Sequence, residues 1–396
     1  MIFKKKVLVR APVLTVSGYG VHSRQVFEWA ISRPDFDVDV QALPWGVTPW
    51  LINPEDKNGL VSEIMKRTIG KETKQKYDIT FQVQLPSEWD PNLGRFNVGI
   101  TAAVETDICN PEWISACNKM NAVIVPSTHT ERVLRGSGET LKVPVFVVPE
   151  SFHPEIAEDN LSADAQIKLD LGTKFNFLVF GQLTGNNPEN DRKNLFYTVK
   201  WICEEFKNDQ DVGLIIKTNS GRSTKIDKLM TERLLNELIT QVRSSNKFPK
   251  TYFLHGNMTE QEVASLYRHE SVKALVSLTR GEGFGLPLLE AAASGLPVIA
   301  TGWSGHTDFL GLGKYITIDP ILSPVHSSRI DGNIFVKGSR WANVDEFEVK
   351  SKLRKFYNKP AAPTQWAKEL SGIIREKYSI DAVKKYFDEV IGVLGC

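Results

Sequence analysis

Residues 277–291 read Ser-Leu-Thr-Arg-Gly-Glu-Gly-Phe-Gly-Leu-Pro-Leu-Leu-Glu-Ala, and this stretch constrains the fold more than any other part of the chain. The apolar run at 274–278 has the length of a buried strand. Gly281, Gly283 and Gly285 follow at alternate positions, so the backbone can come close to a ligand and take up positive φ. Pro287 suits the first turn of a helix, where its missing N–H costs nothing. Strand, glycine turn and helix in that order belong to α/β layers built on parallel sheets. The free amides of such a helix start favour an anion, a phosphate above all. Glu282 in the loop and Glu290 in the expected first helical turn place a carboxylate on either side. An anion site between two hydroxyl-seeking carboxylates suits a ligand that is part phosphate and part sugar.

From Glu282 to Glu290 the run Glu-Gly-Phe-Gly-Leu-Pro-x-x-Glu resembles the E-x7-E motif of retaining GT-B glycosyltransferases, in particular glycosyltransferase family 4. The resemblance implies two doubly wound Rossmann-like domains facing a cleft. It also implies a nucleoside-diphosphate sugar as donor substrate, an acceptor hydroxyl, retention of configuration, and no metal or other cofactor. Glu282 would then contact the donor sugar and Glu290 the ribose, with the amides of Gly283, Phe284, Gly285 and Leu286 on sugar and diphosphate. The plain alternative is a tight turn whose acids merely suit a helix N-terminus.

The rest of the chain supports this architecture. Strand patterns at 7–14, 36–41, 79–84, 96–104, 122–125 and 143–148 alternate with helical patterns at 23–31, 61–65, 111–119 and 128–136. Ser127 and Glu131 read as a cap and a first-turn acid. After an irregular connection at 151–172, strands are expected at 175–180, 212–217, 252–254, 274–278 and 297–300, with helices at 194–206, 226–244, 259–267 and 287–293. Residues 319–345 read as a loop excursion, followed by helices near 347–356, 364–377 and 380–394. The expected division is an acceptor domain at 1–165, a donor domain at 166–375, and a C-terminal helix at 376–396 that crosses back, as the resemblance implies.

Other segments gain a role through the same resemblance. Gly18 and Gly20, in the turn after the first strand, would lie under the donor, and His22 would face the cleft. The third glycine of a dinucleotide fingerprint is replaced by Ser23, which argues against NAD. In 180–194 the phosphate-binding lysine would be Lys193. Where relatives usually carry arginine this chain has Gln182, and Arg192 stands beside Lys193. Lys217 at a strand end is a further phosphate candidate, Asn257 falls in the base-contacting loop, and Ser304 and Gly305 would add backbone donors. On the acceptor side stand His22, Glu105 and Asp107. Asp35, Asp37 and Asp39 alternate along one strand face and resemble the D-x-D metal motif of GT-A enzymes, but a solvated face is the preferred reading and no metal is expected.

Composition narrows the partners. The net charge is +1; residues 1–165 carry 17 basic and 21 acidic residues, against 31 and 26 in the remainder. A more basic second half suits a diphosphate, and an acidic first half disfavours a nucleic-acid acceptor without excluding one. Cys109, Cys117, Cys203 and Cys396 lack metal-ligand spacing. Arg10 interrupts the N-terminal apolar run too early for a signal core. The expected location is the cytoplasm, with peripheral membrane contact left open. A glycan or other hydroxyl-bearing acceptor is expected. The rival readings are a non-catalytic nucleotide-sugar-binding partner subunit, a GT-B epimerase, and a GT-B transferase acting on modified DNA bases.

Overall fold

Val7, Leu8 and Val9 are fully buried in the middle of a sheet whose strands all run the same way. The computed structural model describes residues 4–70, 76–102, 104–158, 167–185, 187–218, 223–243 and 247–395. Ala103, residues 159–166, Ser244 and Cys396, each within a segment or set noted above, lie outside the described residues. Among those described, the first lobe is built on β1 (Lys5–Ala11), β2 (Phe36–Ala42), β3 (Tyr77–Val83), β4 (Gly94–Ile100), β5 (Ala122–Val125) and β6 (Val145–Val147). They form a parallel sheet of order β2-β1-β3-β4-β5-β6. The crossovers carry α1 (Gly18–Ser32), α2 (Leu60–Arg67), α3 (Pro111–Cys117) and α4 (Thr128–Gly136), and the short α5 (Pro154–Ala157) follows. Helix α1 starts earlier than expected because Ser17 caps it, accepting the Gly20 amide at 2.9 Å. Ser127 caps α4 through the Thr130 amide.

The second lobe repeats the plan. Its strands are β7 (Phe175–Phe180), β8 (Val212–Thr218), β9 (Lys250–His255), β10 (Val272–Ser277), β11 (Val298–Thr301) and β12 (Ile316–Ile318), in parallel order β12-β11-β10-β7-β8-β9. Around them pack α6 (Leu195–Glu205), α7 (Lys225–Arg243), α8 (Glu260–Arg268), α9 (Leu286–Ala293), α10 (Thr307–Leu310), α11 (Glu346–Asn358) and α12 (Ala361–Lys377). Not expected were strand β12, the short helices α5 and α10, and an antiparallel hairpin of β13 (Ile321–Pro324) and β14 (Arg340–Asn343) within the segment read as a loop. In each sheet the strand order reverses once, between β1 and β3 and between β7 and β10. Ligands of open α/β sheets bind outside the carboxyl ends of the strands at such a point. The loops after β7 and β10 carry Lys193 and Glu282, so topology alone brings them together.

Helix α13 (Ile380–Leu394) packs on the first lobe. Val383, Phe387, Val390 and Ile391 join the core that holds Trp29 and Phe81. Phe387 stacks on Trp29 at 4.9 Å, and the Trp29 indole donates to Asp388 at 2.9 Å. Arg33–Asp388 and Lys384–Glu28 close the edges. No described helix is long and apolar enough to cross a membrane. Truncating a buried aromatic costs about 3–5 kcal/mol. Phe387→Ala is therefore expected to lower the first lobe's unfolding free energy, read from its urea transition, by that amount. A loss below about 1 kcal/mol would mean that α13 is an appendage and not part of the core.

Candidate active site between the lobes

Neither Gly281 nor Gly283 adopts positive φ; of the three loop glycines only Gly285 does, at φ +105°, as the N-cap of α9. Gly281 and Gly283 are required for a different reason. A β-carbon on Gly281 would lie 2.0 Å from the Glu105 carbonyl, and one on Gly283 would lie 1.7 Å from the Ala102 carbonyl. The opposing backbone cannot yield as a flexible side chain would. The loop after β10 therefore rests directly on the strand end of the first lobe. Ser127 Oγ donates to the Gly283 carbonyl at 2.6 Å, and Thr130 Oγ1 donates to it at 3.4 Å. Nearby, Asp308 accepts from the Thr128 amide at 2.6 Å and from its hydroxyl at 2.7 Å. The close approach expected for a ligand is made here by the other lobe.

Glu282 is held in this junction with 7% of its surface exposed. Lys193 Nζ lies 2.5 Å and Arg192 Nη1 3.3 Å from its carboxylate. Arg192 also donates to the Gly281 carbonyl at 2.6 Å and reaches Glu105 at 3.6 Å. Burial opposes the charge on Glu282, but Lys193 and Arg192 outweigh it and hold the carboxyl at about 2. Burial lowers the Lys193 ammonium from its usual value, and Glu282 works against that fall. Asp191, which nothing in its polar run singles out by sequence, ties the loop that carries both cations to Thr184 and to the start of α6. It is fully buried, accepts from the Thr184 amide and hydroxyl, and caps α6 through the Leu195 amide at 2.6 Å. Gln182 is exposed.

Glu290 occupies the fifth position of α9, which starts at Leu286, so it stands in the second turn and not the first. It is half-buried. Burial, reinforced by Glu260, raises its carboxyl to about 7 against the opposing hydrogen bond from Tyr267. Glu290 lines a cavity of about 710 Å³ between the lobes, together with Arg24, Lys57, Ser151, His153 and Glu260. An ion pair between Lys57 and Glu260 spans it.

The remaining candidates separate by environment. Gly18 is exposed with open space where a side chain would stand, whereas a β-carbon on Gly20 would meet the Thr15 carbonyl at 2.0 Å. Phe284 is buried in the second-lobe core against Phe309, and Leu286 packs on the same core, so only their backbones face the loop. Gly305 donates its amide to the Glu282 carbonyl and Ser304 Oγ accepts from the Glu282 amide, both at 2.9 Å. Ser304 and Gly305 thus brace the loop, as does His306, whose Nε2 lies 2.7 Å from the Thr301 carbonyl. Lys217 is buried, donates to the Gly256 carbonyl at 2.6 Å, and is lowered by burial to about 8. Asn257 is exposed and accepts from Ser223 at 3.4 Å. Glu105 reaches the cluster through Arg192, but Asp107 turns to the second lobe, where Arg340 binds it through its amide at 2.6 Å and its side chain at 2.7 Å. His22 is 1% exposed and lies 3.9 Å from Glu150. Asp35 pairs with Arg33, Asp37 with Lys6, and Asp39 accepts from Tyr77. Among the described residues no cluster of three or more His, Cys, Asp or Glu has the arrangement of a metal site.

Comparison with known proteins places this geometry in context. The family model described as "Glycosyl transferases group 1" matches residues 232–320, which contain the Glu282 loop and α9. A sucrose synthase of Melioribacter roseus is 28% identical over 178 residues, 41% of this chain and 21% of that protein. A serotype-specific mannosyltransferase WbdA of Escherichia coli is 38% identical over 108 residues, 27% of this chain and 12% of that protein. The chain spans about a fifth or less of the length of these curated relatives. Among solved structures, a sucrose-phosphate synthase from Thermosynechococcus elongatus aligns over 99% of both chains with TM-score 0.65 and 14% identity. A glycosyltransferase from Rickettsia africae aligns over 99% of this chain and 98% of its own with TM-score 0.66 and 14% identity. Anabaena HepE, solved in complex with UDP and glucose, covers 98% of this chain and 100% of its own with TM-score 0.61 and 15% identity. Two Rossmann-like domains facing a cleft are the GT-B fold, and that is the fold of this chain.

The two acids give opposite pH dependences. Glu282, depressed to about 2, contributes stability above its ordinary value near 4.5, and the contribution is lost as pH falls through 2. Glu290, raised to about 7, binds its proton more tightly when folded, so its ionisation costs stability as pH rises from 4.5 through 7. Glu290→Gln removes that cost. It is expected to raise Tm at pH 8 by about 2–4 °C per kcal/mol relieved and to leave Tm at pH 4 unchanged. Equal effects at both pH values would contradict the assigned environment.

Proposed function

We propose that the chain is a retaining, metal-independent glycosyltransferase that moves a sugar from a nucleoside-diphosphate sugar to an acceptor hydroxyl. The observation that carries this reading is the convergence at one lobe junction of Glu282, its two cations and Glu290. The family match over residues 232–320 and the names of the curated relatives support the same class. Glu290 binds the ribose hydroxyls from the cavity wall, and Glu282 binds the hydroxyls of the sugar. Lys193 and Arg192 hand part of their charge from Glu282 to the diphosphate as it leaves, where negative charge grows in the transition state. Two protein cations at that point meet the electrostatic demand without a divalent ion. Retention then follows from attack on the face the phosphate leaves, with the departing oxygen taking the acceptor proton. The lobe contact at Gly281 and Gly283 shuts water out while the lobes are closed.

A panel of UDP-, GDP- and ADP-sugars screened by thermal shift tests the reading. Ligand present at 100 times its Kd adds about 2.7 kcal/mol of stability, so one donor class is expected to stand out. Glu290→Ala is expected to abolish the shift, and Glu282→Ala to keep nucleotide binding while lowering turnover about 100-fold or more. Turnover is expected to be the same with and without EDTA, with the product in the donor's anomeric configuration. Full activity in both variants would remove the site from Glu282 and Glu290.

A further inference from the structure

His22 and Glu150 are a close pair of buried ionisable groups that the reaction above leaves without a task. Glu150 follows β6 at the sheet's carboxyl end, is 4% exposed, and lies 3.9 Å from the His22 ring. Both ring nitrogens of His22 and one carboxyl oxygen of Glu150 have no hydrogen-bond partner among the described residues. Each such atom forgoes about 1–3 kcal/mol, and three in one place are a standing cost. Their surroundings are rigid. Gln25 clamps Ser151 by accepting its amide at 2.9 Å and donating to its carbonyl at 2.8 Å. Arg24 ties α1 to the Val13 and Thr15 carbonyls. Val21 and Ser151, chain neighbours of the pair, and Gln25, one turn on from His22, line the cavity that Glu290 also lines. The charges that act on Glu150 belong to Glu290 and Glu282, both on the second lobe.

We propose that His22 and Glu150 form a hydroxyl-binding site on the first lobe, opposite Glu282 and Glu290, which takes neighbouring hydroxyls of the bound nucleotide sugar. This rests on the donor reading given above. Burial, with Glu290 and Glu282 adding to it, raises the Glu150 carboxyl to about 8, and burial lowers the His22 imidazole to about 4. Both groups are therefore uncharged at neutral pH, and each offers one donor and one acceptor. That set matches a diol, which donates and accepts in turn, better than a phosphate, which calls for cations. Lobe opening admits the ligand, and closure seals the pair around it.

Calorimetric titration of the full chain with UDP and UDP-glucose, GDP and GDP-mannose, and ADP and ADP-glucose tests the site. Wild type is compared with Glu150→Leu, Glu150→Gln and His22→Phe. Binding of none of the six by wild type would overturn the donor reading and this site with it. For a pair that binds, Glu150→Leu and His22→Phe are each expected to weaken affinity about tenfold or more. Tm is expected to rise in Glu150→Leu, because an unpaired buried carboxyl gives way to an apolar group. Glu150→Gln keeps one donor and one acceptor and is expected to stay within about threefold of wild type. A loss confined to the sugar nucleotide assigns the site to the transferred sugar, and an equal loss for the bare diphosphate assigns it to the ribose. Unchanged affinity in both Glu150→Leu and His22→Phe, for a pair that wild type binds, would overturn the hydroxyl site and leave the donor reading standing.

Discussion

Everything at the junction depends on backbone meeting backbone where the loop after β10 rests on residues 102–105. A β-carbon at Gly281 or Gly283 would push the lobes apart. Because none is present, Ser127 reaches the Gly283 carbonyl and Glu282 is buried between the loops. That burial would discharge an isolated carboxylate. Lys193 and Arg192 prevent it, and Asp191 anchors the loop that carries them by accepting from Thr184 and from the Leu195 amide. The cluster is thus a chain of obligations: glycines permit contact, contact buries the acid, and the buried acid demands the cations.

Three carboxyls share one junction and meet three different environments. Glu282, with two cations, is held at about 2; Glu290, beside Glu260, rises to about 7; Glu150, enclosed with a neutral imidazole, rises to about 8. Groups whose environments drive their proton affinities apart can take different parts in one reaction. On the reading proposed, the ionised acid accepts from sugar hydroxyls, and the cations that neutralise it are positioned for the diphosphate. Breaking a buried ion pair by removing one partner costs about 3–5 kcal/mol. A ligand that supplies replacement partners removes much of that cost, which suits an ion pair made to be exchanged.

Much of this was legible in the sequence, and the failures have physical causes. The alternation of apolar runs with helical periodicity placed both sheets, because buried parallel strands carry no mixed signal. Helix α1 begins at Gly18 although two glycines weaken helix propensity, because Ser17 supplies a cap that offsets them. Strands β12, β13 and β14 are three or four residues long, too short for a period to register. The turn glycines suggest close approach to a ligand, but at Gly281 and Gly283 what approaches is a backbone about 180 residues earlier in the chain, beyond any local pattern. Asp191 looks like one polar residue among many until its carboxylate is seen to cap α6. Glu150 carries no local mark, since its neighbour in the fold, His22, lies far from it along the chain.

The account turns on where an activated sugar lies, and a crystal structure of the chain with its donor bound measures that directly. The account predicts diphosphate density against the amides of Gly283 to Leu286 with Lys193 moved onto a phosphate oxygen, the sugar against Glu282 and the ribose against Glu290. A nucleotide bound outside the junction, with the Lys193–Glu282 pair intact, would contradict it.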